Sequence, residues 1–329
     1  MYPLIGLRRH GEKRVRDHIE NAILTHPILV CSPLTKHRYL PPILLDPKKL
    51  TRKIVRDTRN MMYSTLLFLV VGSVISYFAV GWSFTVSFTF VFLSLFIYTV
   101  FDYLSFSASQ DNLEQRWLYY GWCFSKPPVI AGSFLAVMAL IGGIQVAAMM
   151  LGASHDTVRE TLGLAYYRVT DHNEWWRILT GPYLHNSLAH WLTNTLIGAG
   201  LLLLYGPVLG AVRCWVVIIA AAPVSFLAVY VCSTYWSLDG EGIVGLSGGI
   251  AGVIGYFLAA NLRDKPSFPP HFYFVTIFVA TSSLLVVSFV TSTTSFIAHL
   301  AGFIAGILFG IISNPIHSSF YIEASDSES

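Results

Sequence analysis

The sequence predicts an all-α, polytopic membrane protein: a six-helix core preceded by two N-terminal transmembrane helices. Three observations carry this prediction. Of the 329 residues, 54% are hydrophobic and only 12% are charged, whereas a soluble domain is about a quarter charged. The mean hydropathy is +0.59. Eight segments also approach the roughly 20 apolar residues that a spanning helix needs: 61–80, 84–105, 127–151, 187–205, 211–235, 247–262, 271–291 and 296–313.

Residues 1–60 hold 13 Lys or Arg and read as a basic cytosolic N-terminal region. Val15 to His26 fits a short amphipathic helix stopped by Pro27, and Pro33, Pro41, Pro42 and Pro47 break the next stretch. Its basic face suits lipid headgroups. No recognised motif accompanies the charge, so nucleic acid is not an expected partner. Residues 61–126 form a two-helix transmembrane hairpin, tight at Gly81-Trp82, and a polar linker. Trp117, Tyr119, Tyr120 and Trp122 in that linker suit a membrane interface. Residues 127–313 are the six-helix core, and 314–329 an acidic cytosolic tail read as disordered. No cleavable signal peptide is expected, because the chain opens on a polar, basic stretch. Cys31, Cys123, Cys214 and Cys232 lie far apart, with neither zinc-ligand spacing nor a disulfide framework. No metal is expected.

Loop charges orient the spans. With a cytosolic N-terminus, 18 of the 21 Lys and Arg fall inside, including Arg116, Lys126, Arg213, Arg263 and Lys265. Arg159, Arg168 and Arg177 fall outside, in one long loop. This is the positive-inside pattern, with both termini cytosolic. The plasma membrane is the default location, since Glu12, Asp17 and Glu20 argue against a mitochondrial presequence.

Helix rise then sets depth. Ser247 lies 16 residues before Arg263, about 24 Å above the cytosolic end. His299 lies 15 residues before Asn314-Pro315, about 22 Å up. His190 lies 16 residues before Gly206-Pro207, about 24 Å up, with Asn194 one turn deeper. Four polar side chains from three spans thus share one layer near the outer leaflet of a hydrocarbon core about 30 Å thick.

An ionisable side chain in lipid is costly and marks a functional hypothesis. Serine is a poor nucleophile until a base takes its proton, and a neutral histidine can do so. The core spans contain no acidic residue, so Ser247 and His299 make a dyad. An oxyanion needs donors. Asn194 offers an amide N–H and His190 a ring N–H from the same helix face. The backbone N–H of Ser247 or Gly248 joins them at a helix N-terminus. Gly245, Gly248, Gly249, Gly252 and Gly255 crowd one span, and Ala298, Gly302 and Gly306 recur on the last. Small residues so spaced let membrane helices approach closely. His185 reads as structural, and Trp176 and Arg177 as anchors of the outer loop.

Together, Trp176-Arg177-x-x-Thr180, His185-x4-His190-x3-Asn194, Gly245-x-Ser247-Gly248 and Ala298-His299-x-x-Gly302-x3-Gly306 resemble the rhomboid intramembrane serine proteases. The resemblance covers about residues 127–313. It implies cleavage of a peptide bond in or near a substrate's transmembrane segment, without metal or cofactor. Membrane-protein substrates and the bilayer are the implied partners. By position Ser247 resembles the nucleophile, His299 the base, and His190 and Asn194 the oxyanion-stabilising residues. Gly245 matches the glycine that shapes the serine loop. Trp176 and Arg177 match the pair in the outer loop, here Thr157 to Pro182. Two departures stand out. Gly210 occupies the place of a common glutamate after the second core helix, and Ala251 that of a tyrosine packed on the histidine. A substrate is expected to enter beside the span 271–291. The rival readings are a rhomboid-like pseudoprotease that binds membrane clients without cutting them, and a small transporter.

Overall fold

The computed structural model describes residues 2–3, 30–31, 39–40, 47–79, 82–108, 119, 123, 127–152, 154–236, 242–264 and 293–314. The predicted helix at 15–26, the turn at Gly81, most of the 106–126 linker, the span 271–291 and the tail beyond 314 lie outside these described residues. The chain divides into two compact units: Met1–Pro127 with Lys265–Phe278 and Ser318–Ser329, and Pro128–Asp264 with Val279–His317.

In the first unit, short strands β1 (Tyr2–Pro3), β2 (Val30–Cys31) and β3 (Tyr39–Leu40) pair antiparallel, with Tyr2 opposite Cys31 and Val30 opposite Leu40. The first long helix, α1, begins at Pro47 rather than at residue 61. Proline suits the first helical position, where its missing N–H would have no partner anyway. Lys48, Lys49, Arg52, Lys53, Arg56 and Arg59 therefore share one helix with the apolar run beyond them. α1 comprises Pro47–Leu67, a π-helical turn at Phe68–Gly72 and Ser73–Ala79. Its partner α2 spans Trp82–Ala108.

Hydroxyl pairs join the two helices. The Thr65 and Thr99 Oγ1 atoms lie 3.1 Å apart, and Thr89 Oγ1 donates to Ser73 Oγ at 2.7 Å. Eight residues after Thr65, a regular α-helix would have turned about 80° beyond two full turns. The wider π turn absorbs one residue and removes most of that offset. Thr65 and Ser73 then both face α2.

The second unit contains α3 (Val129–Met150), α4 (His155–Leu162), β4 (Leu164–Ala165), α5 (Tyr166–His172), α6 (Arg177–Thr180), α7 (Leu188–Leu209), α8 (Ala211–Trp236), β5 (Gly242–Ile243), α9 (Ser247–Arg263) and α10 (Thr293–Ile312). α7 continues through Pro207, past the predicted end at 205, and stops at Gly210 with φ +81°. A backbone at that φ suits glycine and turns the chain out of the helix. Arg52–Ala79, Val129–Met150, His190–Leu209 and Ala211–Trp236 are long and apolar enough to cross a membrane. Leu95–Ala108 and Phe296–Ile312 are shorter apolar helices. The chain is an integral membrane protein of all-α class.

α9 is the buried centre of this unit, with every residue from Gly248 to Phe257 buried. Its glycines let neighbours meet its backbone. A methyl built on Gly302 would overlap the Gly248 carbonyl oxygen, and one on Gly306 the Gly252 carbonyl oxygen. On the α8 side, a methyl on Gly249 would sit 2.8 Å from the Ile218 oxygen. The Tyr205 and Phe257 rings stack at 3.8 Å between α7 and α9. Trp191 Nε1 donates to the Met138 carbonyl at 2.9 Å and Trp215 Nε1 to Ser133 Oγ at 3.1 Å, tying α7 and α8 to α3. At the far end, Arg263 Nη1 donates to the carbonyls of Gly310 and Ser313 at 2.6 Å each. These are among the C-terminal carbonyls that a helix leaves without intrahelical partners.

Gly306→Val should cost about 1–3 kcal/mol by overpacking, read as a lowered Tm in detergent. Gly200→Ala, whose methyl meets nothing within 4 Å, should leave Tm unchanged.

Candidate active site

The serine is presented by a braced turn. β5 pairs antiparallel with β4, Ile243 opposite Leu164 and Gly242 opposite Ala165. The Gly245 N–H then donates to the Gly181 carbonyl at 3.2 Å. Gly245 has φ +124°, a backbone that a side chain would strain. A methyl there would also lie 2.6 Å from His190 Cε1, 2.8 Å from His190 Nε2 and 3.6 Å from Asn194 Nδ2. Ser247, half-buried, is the first residue of α9. The amides of this first turn have no intrahelical acceptors.

His299 lies in α10 and is 7% exposed, and its Nδ1 is buried with no hydrogen-bond partner. Backbone contact of α9 with α10 brings its neighbours level with the serine. A methyl on Gly248 would stand 3.4 Å from the Ala298 oxygen. A direct Ser247–His299 hydrogen bond is not among those of the described residues. Catalytic hydrogen bonds are often long in ligand-free enzymes and tighten when substrate binds.

α7 contributes the polar wall, capped by Ser187, whose Oγ accepts from the His190 N–H at 3.1 Å. Asn194, 6% exposed, donates from Nδ2 to His185 Nε2 at 3.0 Å. A carboxamide nitrogen carries two hydrogens, so a second N–H remains for another acceptor. Burial, and secondarily His190, lower the His185 pKa to about 4, which keeps the ring neutral and able to accept. The His185 and His190 rings meet edge to face, centroids 5.1 Å apart. His190 Nδ1 pairs with Asn186 Oδ1 at 2.9 Å. A carbonyl oxygen only accepts, so the neutral His190 ring holds its proton on Nδ1 and presents Nε2 as an acceptor. It donates from Nε2 only as imidazolium.

Two of these polar residues escaped sequence reasoning. Gln145, 9% exposed on apolar α3, receives the His185 N–H on Oε1 at 3.1 Å and donates from Nε2 to the His185 carbonyl at 3.0 Å. A lone carboxamide in an apolar helix was the available signal. Asn186 had none beyond its place ahead of the cap.

The long loop is organised around a buried cation. Arg177, read from sequence as an anchor of the outer loop, is 3% exposed. Its Nε donates to Glu174 Oε2 at 2.5 Å, and its Nη1 to the carbonyls of Glu160 and Gly163 at 2.8 Å each. The guanidinium also lies 4.6 Å from the centre of the half-exposed Trp176 ring. Thr180 Oγ1 donates to the Leu162 carbonyl at 2.7 Å. Leu164, Val169 and Ile178 pack with Phe226 of α8 in one apolar cluster. Among the described residues, no group of three or more His, Cys, Asp or Glu is placed to hold a metal.

Residues 172–315 match the Rhomboid domain family. Over these residues, somewhat under half of its length, the chain carries a Rhomboid domain. A curated relative, "Inactive RHOMBOID-like protein 8" of Arabidopsis thaliana, is 32% identical over 121 residues, covering 35% of this chain and 31% of the relative. The chain thus spans about a third of the length of the relative it matches. The rhomboid match takes in Trp176, Arg177, His185, His190, Asn194, Gly245, Ser247, Gly248, His299 and Gly302. Gln145 lies outside it.

Breaking a buried ion pair typically costs about 3–5 kcal/mol. Arg177→Ala should therefore lower Tm in detergent and speed proteolytic cutting within residues 154–183. Arg177→Lys should restore only part of the loss, because an ammonium cannot reproduce the guanidinium fork.

Proposed function

We propose that this rhomboid protein is an intramembrane serine endopeptidase that cleaves membrane proteins in or near their transmembrane segments. The observation that carries the reading is the level meeting of α9 and α10. It sets Ser247, at a helix N-terminus, beside a partner helix bearing His299, with the Asn194 amide directed at the serine loop. In this reading Ser247 Oγ attacks the scissile carbonyl and His299 Nε2 takes its proton, while Nδ1 keeps the proton it carries. The second N–H of Asn194 and the free amides of Ser247 and Gly248 meet the oxyanion. His190 joins them only as imidazolium, which makes Asn194 the principal side-chain donor. His299 then protonates the leaving amine, and a water that it deprotonates releases the acyl group.

The positive-inside balance supports cytosolic termini and a site toward the outer leaflet. Lipid conceals a helical substrate's carbonyls in its own hydrogen bonds, so helix-breaking residues near the cut should favour cleavage.

A second reading is a client-binding pseudoprotease. The Arabidopsis relative's name calls that protein inactive, and no Ser247–His299 hydrogen bond is made among the described residues. Fluorophosphonate labelling separates the two. The protease reading expects label on Ser247, lost in Ser247→Ala and His299→Ala, with cleavage of a transmembrane substrate lost in step. Wild-type protein that neither labels nor cleaves would establish the pseudoprotease. Asn194→Ala should lower kcat about 10²–10³-fold, the usual cost of an oxyanion donor, while His190→Ala should cost less.

A further inference from the structure

We propose that Gln145 is a positioning residue for the oxyanion donors, acting through His185; this rests on the protease reading above. Gln145 takes both backbone hydrogen-bonding groups of one residue. Its Oε1 receives the His185 N–H at 3.1 Å and its Nε2 serves the His185 carbonyl at 3.0 Å. His185 lies in the short non-helical stretch between the turn Gly181–Tyr183 and α7, so no helix or strand ladder supplies these bonds. Buried backbone groups need partners, and here a single side chain from α3 provides both. The grip fixes the backbone at His185.

Two contacts leave from that fixed point. The His185 ring accepts from Asn194 Nδ2 at 3.0 Å and thereby sets the rotation of the carboxamide. The next residue, Asn186, holds His190 Nδ1 at 2.9 Å. Asn194 and His190 are the two side chains that a methyl on Gly245 would approach. One glutamine thus governs the orientation of both groups that line the serine loop. A shift of about 1 Å in a catalytic group can cost about 10²-fold in rate, so the grip matters to catalysis beyond its value to stability.

The test uses the full chain in proteoliposomes with a transmembrane-segment substrate. Gln145→Leu should lower kcat about 10²-fold and slow fluorophosphonate labelling of Ser247, with KM unchanged. In an Asn194→Ala background the same substitution should cost much less, because the principal donor it positions is gone and only His190 remains. A full multiplicative loss in that background would assign Gln145 to general stability and overturn the proposal. Gln145→Glu keeps the shape, so it guards against a Leu variant that misfolds. Ionised, it lacks the donor to the His185 carbonyl, and protonation returns one. Its kcat relative to wild type should therefore be highest at low pH, where the carboxyl is protonated; a Glu variant as impaired as Gln145→Leu at every pH overturns the positioning role. Wild-type protein without Ser247-dependent labelling overturns the protease reading and this role with it. Ser247-dependent turnover that Gln145→Leu leaves intact overturns this role alone.

Discussion

Backbone-to-backbone contact between α9 and α10 is the constraint on which the rest of the second unit depends. Lipid tails are as apolar as leucine, so helices in a bilayer gain little from burying apolar surface against one another. They gain from close packing, and that requires side chains small enough to bring the backbones together. Gly248, Gly252 and Gly255 on one helix and Gly302 and Gly306 on the other leave no room for even a methyl group at several crossings. The contact sets the height of the Ser247 turn against the His299 turn. Arg263, on the last carbonyls of α10, pins the same pair at the opposite end.

Within that frame the polar groups form a neutral layer. Gln145, His185 and Asn194 satisfy one another through side-chain and backbone hydrogen bonds, with no carboxylate among them. Burying a charge in apolar surroundings is expensive, whereas a hydrogen-bonded neutral group costs little. The proposed chemistry needs charge only transiently, on the oxyanion and the imidazolium. The unpartnered Nδ1 of His299 suits a ring held by packing rather than by an acid.

The N-terminal hairpin obeys the same rule with simpler means. Thr65, Ser73, Thr89 and Thr99 pair hydroxyls between α1 and α2, and the π turn keeps both pairs on the shared face. Interhelical hydrogen bonds of this kind are worth about 0.6–2 kcal/mol each in membranes. They give the pair a preferred register without placing a charge in lipid.

Much of this was legible from the chain alone. Apolar run length located the helices Arg52–Ala79, Val129–Met150, His190–Leu209 and Ala211–Trp236, because the bilayer imposes its thickness on any helix that crosses it. Helix rise put Ser247, His299, His190 and Asn194 in one layer, and glycine spacing indicated which helices touch. The start of α1 at Pro47 was missed because its first turns are basic, and hydropathy cannot distinguish a polar helix from a polar loop. Gln145 was missed because its partner His185 lies on a loop whose path sequence periodicity does not describe, and Asn186 because it lies on that loop itself. The β4–β5 pair joins two-residue strands nearly 80 residues apart, too short to leave an alternating pattern. The buried setting of Arg177 likewise depends on carbonyls that only the folded loop brings to it. The sequence by itself named the polar residues that its apolar helices must accommodate, since run length and helix rise follow from the solvent and the backbone. The tertiary structure decided how each is turned and held, since orientation comes from hydrogen bonds between segments far apart in the chain.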